Sequence, residues 1–118
     1  MIGAGLMGAG IAQVTAEKGG YDVILKDTTP EALHRGMSYM KDSWKKKVKR
    51  RRMTNYESCL YDSRITPLTE DLPSWQKHFR KSNIVIEAVF EDLDLKRKII
   101  KMVEDNTSED CIIATNTR

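Results

Sequence analysis

The chain alternates short apolar runs with longer stretches whose apolar residues recur at helical spacing. Ile2 leads into Gly3-Ala4-Gly5-Leu6-Met7-Gly8-Ala9-Gly10. A helical stretch follows, with Ile11, Val14 and Thr15 on one side, predicted to stop near Gly19-Gly20. Tyr21 to Asp27 is a compact apolar run and reads as a strand. Thr28-Thr29-Pro30-Glu31 has the chemistry of a helix start: a threonine to cap free amides, a proline early, an acid in the first turn. The helix it opens runs from about Glu31 to about Arg51 and sets Leu33, Met37, Met40, Trp44 and Val48 on one face. Thr54-Asn55-Tyr56-Glu57 spells a capping box and begins a second, shorter helix.

Arg64 to Leu68 reads as a weak strand stopped by its proline, followed by a loop around Asp71 to Pro73 and a short helix near Trp75 to Phe79. Ile84-Val85-Ile86-Glu87-Ala88-Val89 is the strongest strand of the chain. A helix from about Leu93 to Glu104 turns Leu95, Ile99, Ile100 and Val103 inward, and Cys111 to Thr115 forms the last strand. Strands that alternate with helices imply a parallel sheet with helices on its faces. Central strands of such sheets are buried on both sides and read as unbroken apolar runs, as Ile84 to Val89 and Cys111 to Ala114 do. There is no internal repeat and no low-complexity linker, and 118 residues suit one domain rather than two.

Composition narrows the function classes. Apolar residues make up 40% of the chain, enough for a core, and no apolar run approaches the ~20 residues of a membrane span. Met1 runs straight into glycines with no basic flank, so no signal peptide is expected at the start. Cys59 and Cys111 match no metal or redox spacing, and Cys111 reads as a small core residue. His34 and His78 have no carboxylate or cysteine at a telling distance, so neither a metal site nor a Ser/His/Asp set is expected. The net charge of +3 conceals an asymmetry: Lys41 to Arg52 holds eight basic residues and one acid, a net of +7, leaving −4 on the remainder. Such a block needs a solvated face or an anionic partner.

Gly3-x-Gly5-x-x-Gly8 has the spelling of a dinucleotide-binding turn, a weak signal by itself. Its context strengthens it: the turn opens a helix, and Asp27 ends the next strand about twenty residues on. Gly3 permits the tight turn, Gly5 lets backbone approach a pyrophosphate, and Gly8 lets helix and strand pack closely. The phosphates would meet unpaired amides at the positive end of the helix dipole. Asp27 would accept hydrogen bonds from the adenine ribose and repel a 2′-phosphate, which selects NAD over NADP. Lys26 beside it should point to the opposite face of its strand and leave this preference intact. The expected fold is α/β: a Rossmann-type doubly wound parallel sheet with a long helical hairpin insertion. Its first strand is truncated to Met1 and Ile2.

Gly5-Leu6-Met7-Gly8-Ala9-Gly10-Ile11-Ala12-Gln13 resembles the first turn of the 3-hydroxyacyl-CoA dehydrogenases of fatty-acid β-oxidation. Val85 to Lys96 is similar to a second stretch of that family. Ala114-Thr115-Asn116-Thr117 stands where it has a Ser-Asn-Thr-Ser sequence. The long basic helix is similar as well. The resemblance covers the whole chain and is nearest to the dehydrogenase region of multifunctional enzymes of the trifunctional-protein α-subunit type.

The resemblance implies roles residue by residue. Gly3, Gly5, Leu6, Met7, Gly8, Ala9 and Gly10 would line the pyrophosphate of NAD, and Asp27 would hold its adenosine ribose. Glu91 and Lys96 match positions at the nicotinamide half. Ser43 matches a position that touches coenzyme A, and Arg50 stands where the family has a coenzyme-A-binding lysine. The family's reaction oxidises an L-3-hydroxyacyl-CoA to the 3-ketoacyl-CoA, with a His general base paired to a Glu. Both lie after the Asn-Thr-Ser segment, so no catalytic residue is expected within residues 1–118. Arg118 falls where the family has a serine contacting substrate and cofactor. Residues 1–118 are thus expected to be an incomplete NAD-binding domain without the family's helical dimerisation domain, binding NAD at most weakly and inactive by itself. The full-length protein would be a homodimer or part of a multifunctional complex.

The resemblance places the protein in the mitochondrial matrix, with the peroxisome and the bacterial cytoplasm as alternatives. For the basic block, a coenzyme-A or solvated-helix role ranks ahead of an anionic membrane or partner subunit, and nucleic acid ranks last. A non-catalytic nucleotide- or acyl-CoA-binding module is the alternative function. A different NAD-dependent enzyme of the β-hydroxyacid type is a third, disfavoured by Glu87 to Asp92 and the basic helix.

Overall fold

In the computed structural model, which describes residues 1–69, 75–89 and 92–115, the centre of the sheet is held by the first residues of the chain. Strand β1 (Val23–Lys26) pairs in parallel with β2 (Ile65–Leu68), and β3 (Ile84–Glu87) with β4 (Ile112–Thr115). Between the two pairs lies Ile2, bridged to Lys26 on one side and to Glu87 on the other. Backbone bonds fix it from both flanks. Gly3 N–H donates to Lys26 O at 2.8 Å and Lys26 N–H to Met1 O at 2.9 Å. Ile2 N–H donates to Ile86 O at 2.8 Å and Ala88 N–H to Ile2 O at 2.9 Å. The chain winds outward one way through β1 and β2 and the other way through β3 and β4. A ligand crevice of such a sheet opens beyond the strand ends at that reversal.

Helices cover both faces. Between Ile2 and β1 runs α1 (Leu6–Glu17), and α2 (Pro30–Lys49) and α3 (Asn55–Ser63) form the hairpin between β1 and β2. These three share a core of Ala9, Ala12, Ala16, Val23, Leu25, Met40 and Trp44. On the other face, α4 (Trp75–Arg80) and α5 (Leu93–Asn106) enclose Ile2, Leu68, Phe79, Val85 and Val103. Alternation along β1 explains the division: Val23 and Leu25 belong to the first core, and Ile24 packs against the second. Cys111 and Ile113 also pack against the second core. Pro67 sits in β2, the edge of the sheet among the described residues, where a missing N–H leaves no partner strand unbonded.

The helix signals are realised locally. Thr29 Oγ1 accepts from Ala32 N–H with Pro30 in the first turn, and Thr54 and Glu57 bond each other's backbone in a full capping box. Hydrogen bonding from the Thr54 backbone and hydroxyl holds the Glu57 carboxyl below its ordinary pKa. At the far end of α2, Arg51 takes a left-handed φ of 59°, and Arg52 N–H reaches back to Lys47 O at 2.9 Å. This is the closing motif that glycine usually occupies.

Two expectations about burial are corrected. The inward face of α1 is not that of Ile11 and Val14: Val14 is 58% exposed, and Gly8, Ala9, Ala12, Gln13 and Ala16 are buried. Apart from Gln13 that face is glycine and alanine, which lets the helix lie close to the sheet and α2 and leaves the larger Leu6, Met7 and Val14 exposed. The strands β3 and β4 are not buried on both faces, because Ile84 and Ile112 are both more than half exposed. Among the described residues, helices from this chain cover only the Val85 face of that half of the sheet.

Candidate dinucleotide site

The turn from Gly3 to Gly8 is shaped by close packing at two glycines. Gly3 has a φ of +101°, and a Cβ there would lie 2.6 Å from Ala88 O. A Cβ on Gly8 would overlap the carbonyl oxygen of Gly3. The turn is therefore clamped between α1 and the end of β3. Gly5 and Gly10 differ: a Cβ at either meets no protein atom within 4 Å. At Gly5, which lines the crevice, the space is left for something other than protein.

Gly5 is also the N-cap of α1, and neither a capping side chain nor a first-turn acid serves that helix end. Helices α2, α3 and α5 are all capped, by Thr29, Thr54 and Asp92. The first-turn amides of a helix have no carbonyl within it to bond. At α1 they face a cavity of about 840 Å³ lined by Gly3, Gly5, Leu6, Met7, Ala9 and Asp27. That volume falls within the range of small-molecule and cofactor sites.

Asp27 stands directly against the turn. Its Oδ2 accepts Ala4 N–H at 2.8 Å, and Oδ1 accepts Thr28 N–H at 2.6 Å. A carboxylate offers about four acceptor positions, so these bonds fix its orientation and leave capacity for a ligand's hydroxyls. Lys26 points away, buried, with its ammonium 4.9 Å from the centre of the Trp75 ring on the other face. The residues present thus fit a dinucleotide: open amides for a diphosphate, and an oriented carboxylate for a sugar diol.

The remaining sequence-derived positions distribute unevenly. Gly8 is buried behind the turn and packs against it, and Gly10 is half-buried within α1; neither is among the residues that line the cavity. Lys96 lies in the first turns of α5, next to Leu95 of the cavity wall. Glu91 lies outside the described residues, as do Asn116, Thr117 and Arg118. Ser43 sits farther along α2 and Arg50 is the residue that caps its end, both outside the cavity lining. Their separation of seven residues is two helical turns, which puts them on one face about 10 Å apart.

The sequence reading missed the second wall. Gly36 approaches so closely that a Cβ would lie 2.6 Å from Ala4 O, which brings Arg35 and Tyr39 of α2 to the cavity. Opposite them stand Leu95, Lys98, Ile99 and Met102 of α5. The small residues Ala32 and Gly36, one turn apart on a helix otherwise rich in long side chains, were the available signal. Glu87 was missed too. It is 1% exposed at the end of β3, where Oε2 accepts Val89 N–H and Oε1 accepts Thr115 Oγ1–H, each at 2.7 Å. It ties the ends of β3 and β4 together, one residue before Ala88 of the cavity wall.

With this geometry in view, similarity to known proteins decides the family. Residues 1–118 match the family described as 3-hydroxyacyl-CoA dehydrogenase, NAD binding domain. The chain belongs to that family. It is 40% identical over 117 residues to the fatty acid oxidation complex subunit alpha of Idiomarina loihiensis, covering 99% of this chain and 16% of that one. The structure of (S)-3-hydroxybutyryl-CoA dehydrogenase from Ralstonia eutropha superposes with a TM-score of 0.88 at 34% identity, covering 98% of this chain and 39% of that one. That of 3-hydroxybutyryl-CoA dehydrogenase from Escherichia coli K12 gives 0.88 at 30% identity, covering 98% and 23%. The chain thus spans less than half the length of each of these relatives. Among the described residues no helix is long and apolar enough to cross a membrane.

Proposed function

We propose that this 3-hydroxyacyl-CoA dehydrogenase domain is the NAD-binding portion of an L-3-hydroxyacyl-CoA dehydrogenase of fatty-acid β-oxidation. The observation that carries the reading is the bond from Ala4 N–H to Asp27 Oδ2, which joins the phosphate-facing turn to the carboxylate at 2.8 Å. In this reading the first-turn amides of α1 bind the diphosphate, with Arg35 and Lys98 as nearby cations. Asp27 accepts the ribose hydroxyls and disfavours a 2′-phosphate. When bound, NAD supplies a hydride acceptor. Glu91 and Lys96 serve the nicotinamide half, and Ser43 and Arg50 hold the phosphates of the coenzyme-A thioester. Arginine keeps the cationic donors that a lysine provides there.

Residues 1–118 form one domain of a longer enzyme that works as a homodimer or within a multifunctional complex, the latter in keeping with the name of the Idiomarina relative. The general base lies beyond this segment, so the 118-residue chain is expected to give no NADH from 3-hydroxybutyryl-CoA. A mitochondrial matrix setting follows from the resemblance to the trifunctional type, and the Idiomarina relative speaks for its bacterial-cytoplasm alternative. Titration of the chain with NADH and NADPH tests the reading: NADH is expected to bind at least tenfold more tightly. Equal affinity refutes it, as does a longer polypeptide carrying this domain that shows no affinity for NADH. Turnover by the 118-residue chain would refute the placement of the base.

A further inference from the structure

The helix that opens on the dinucleotide turn is bonded, at its middle, to the residue read as a coenzyme-A contact. Gln13 is 8% exposed among the alanines of α1, and its Nε2 donates to Ser43 Oγ at 2.9 Å. One turn on, Glu17 accepts the indole N–H of the fully buried Trp44 at 3.2 Å and is paired with Lys47 at 3.2 Å. Side chains at 13 and 17 thus fasten α1 to 43, 44 and 47 on α2, while Gly36 presses α2 onto Ala4 at the turn. The register of α2 on α1 is set along its whole contact.

The direction of the Gln13 bond has a chemical consequence. A serine hydroxyl carries one hydrogen and two acceptor positions. In the middle of a helix it commonly spends its hydrogen on the carbonyl four residues back, as the Thr15 hydroxyl does on Ile11 O at 2.7 Å. Ser43 differs. Its oxygen is taken up from one side by the Gln13 amide, and among the described residues its hydroxyl donates to no carbonyl. The hydrogen is left for an acceptor on the stripe of α2 that runs from Tyr39 to Arg50. With Lys46 three residues and Arg50 seven residues on, along the same side of the helix, that acceptor suits a phosphate oxygen.

We propose that Gln13 is a positioning residue for the nucleotide end of a coenzyme-A thioester, acting through Ser43. Its amide fixes the Ser43 oxygen and turns the hydroxyl into a committed donor to the phosphates. The proposal rests on the reading of Ser43 as a coenzyme-A contact, and its test separates the two. The measurement is steady-state kinetics on a polypeptide carrying this domain together with the family's catalytic residues. The substrates are 3-hydroxybutyryl-CoA and 3-hydroxybutyryl-pantetheine, which lacks the phosphorylated nucleotide. Gln13→Met keeps the length of the side chain and removes the donor. Gln13→Glu keeps the shape and offers an acceptor, which captures the Ser43 hydrogen.

The KM for the CoA thioester is expected to rise about threefold to tenfold with Gln13→Met and further with Gln13→Glu. The KM for the pantetheine thioester and the affinity for NADH should move by less than twofold. If Ser43→Ala raises the KM for the CoA thioester and both Gln13 variants leave it unchanged, the role of Gln13 is overturned. If Ser43→Ala leaves it unchanged, the reading of Ser43 falls and the proposal with it. Equal losses on both substrates and on NADH would mean that Gln13 only packs the helices, which also overturns it.

Discussion

Three glycines at the opening of α1 are expected to answer the same added methyl group in three different ways. At Gly8 the new carbon overlaps Gly3 O, and Gly3 has nowhere to retreat: its N–H is bonded to Lys26 O and Ala88 O fills the space beyond. Relief requires lifting the turn from the sheet, which breaks the bonds from Gly3 N–H to Lys26 O and from Ala4 N–H to the Asp27 carboxylate. At about 1 kcal/mol for the first and about 1.5–3 kcal/mol for the second, Gly8→Ala costs about 3 kcal/mol. In a domain of this size that lowers the melting temperature by roughly 10–15 °C. Gly10 lies inside α1 with open space around it, so Gly10→Ala should stabilise by about 0.5–1 kcal/mol through helix propensity. Gly5→Ala meets no protein atom and should melt with the parent, yet its methyl group enters the crevice and should weaken NADH binding about tenfold or more. Thermal melts by circular dichroism and fluorescence titration with NADH read all three. A Gly8→Ala chain that melts within 3 °C of the parent, or a Gly5→Ala chain that binds NADH undiminished, would defeat the reasoning.

Asp27→Ala removes a charged acceptor from the ribose site; NADH affinity is expected to fall about 10- to 100-fold and the preference over NADPH to shrink, and an unchanged preference in paired titrations would contradict the assignment. Arg51→Gly replaces a residue held at a left-handed φ of 59°; net of glycine's own entropy it should stabilise by about 0.5–1 kcal/mol, seen as a melting temperature a few degrees higher, and a lower one would speak against strain there.

Much of the fold was readable because its physics is local. Thr54 and Glu57 form their capping box whatever else the chain does, and the faces of α2 and α5 follow from spacing. Asp27 was legible as the acid after a short strand, although the bond from Ala4 that orients it was not. What escaped the reading is set by distance between elements. The buried face of α1 is the least hydrophobic one because α2 and the sheet come close, so an apolar pattern pointed the wrong way. Glu87 is buried because Val89 and Thr115 supply its hydrogen bonds, and Thr115 arrives from another strand. Ile84 and Ile112 look like core residues by type, but burial depends on what covers a face.

The placement of Ile2 between Lys26 and Glu87 also bears on how quickly the domain assembles. Each outer strand pair closes a loop of moderate length, whereas joining Ile2 to Glu87 brings together residues much farther apart in the sequence. The entropy of closing a loop grows with its length, and distant pairings are slow to form. The rate-limiting closure should therefore be the capture of the amino-terminal residues by β3, and substitutions at Ile2 should slow refolding more than they speed unfolding.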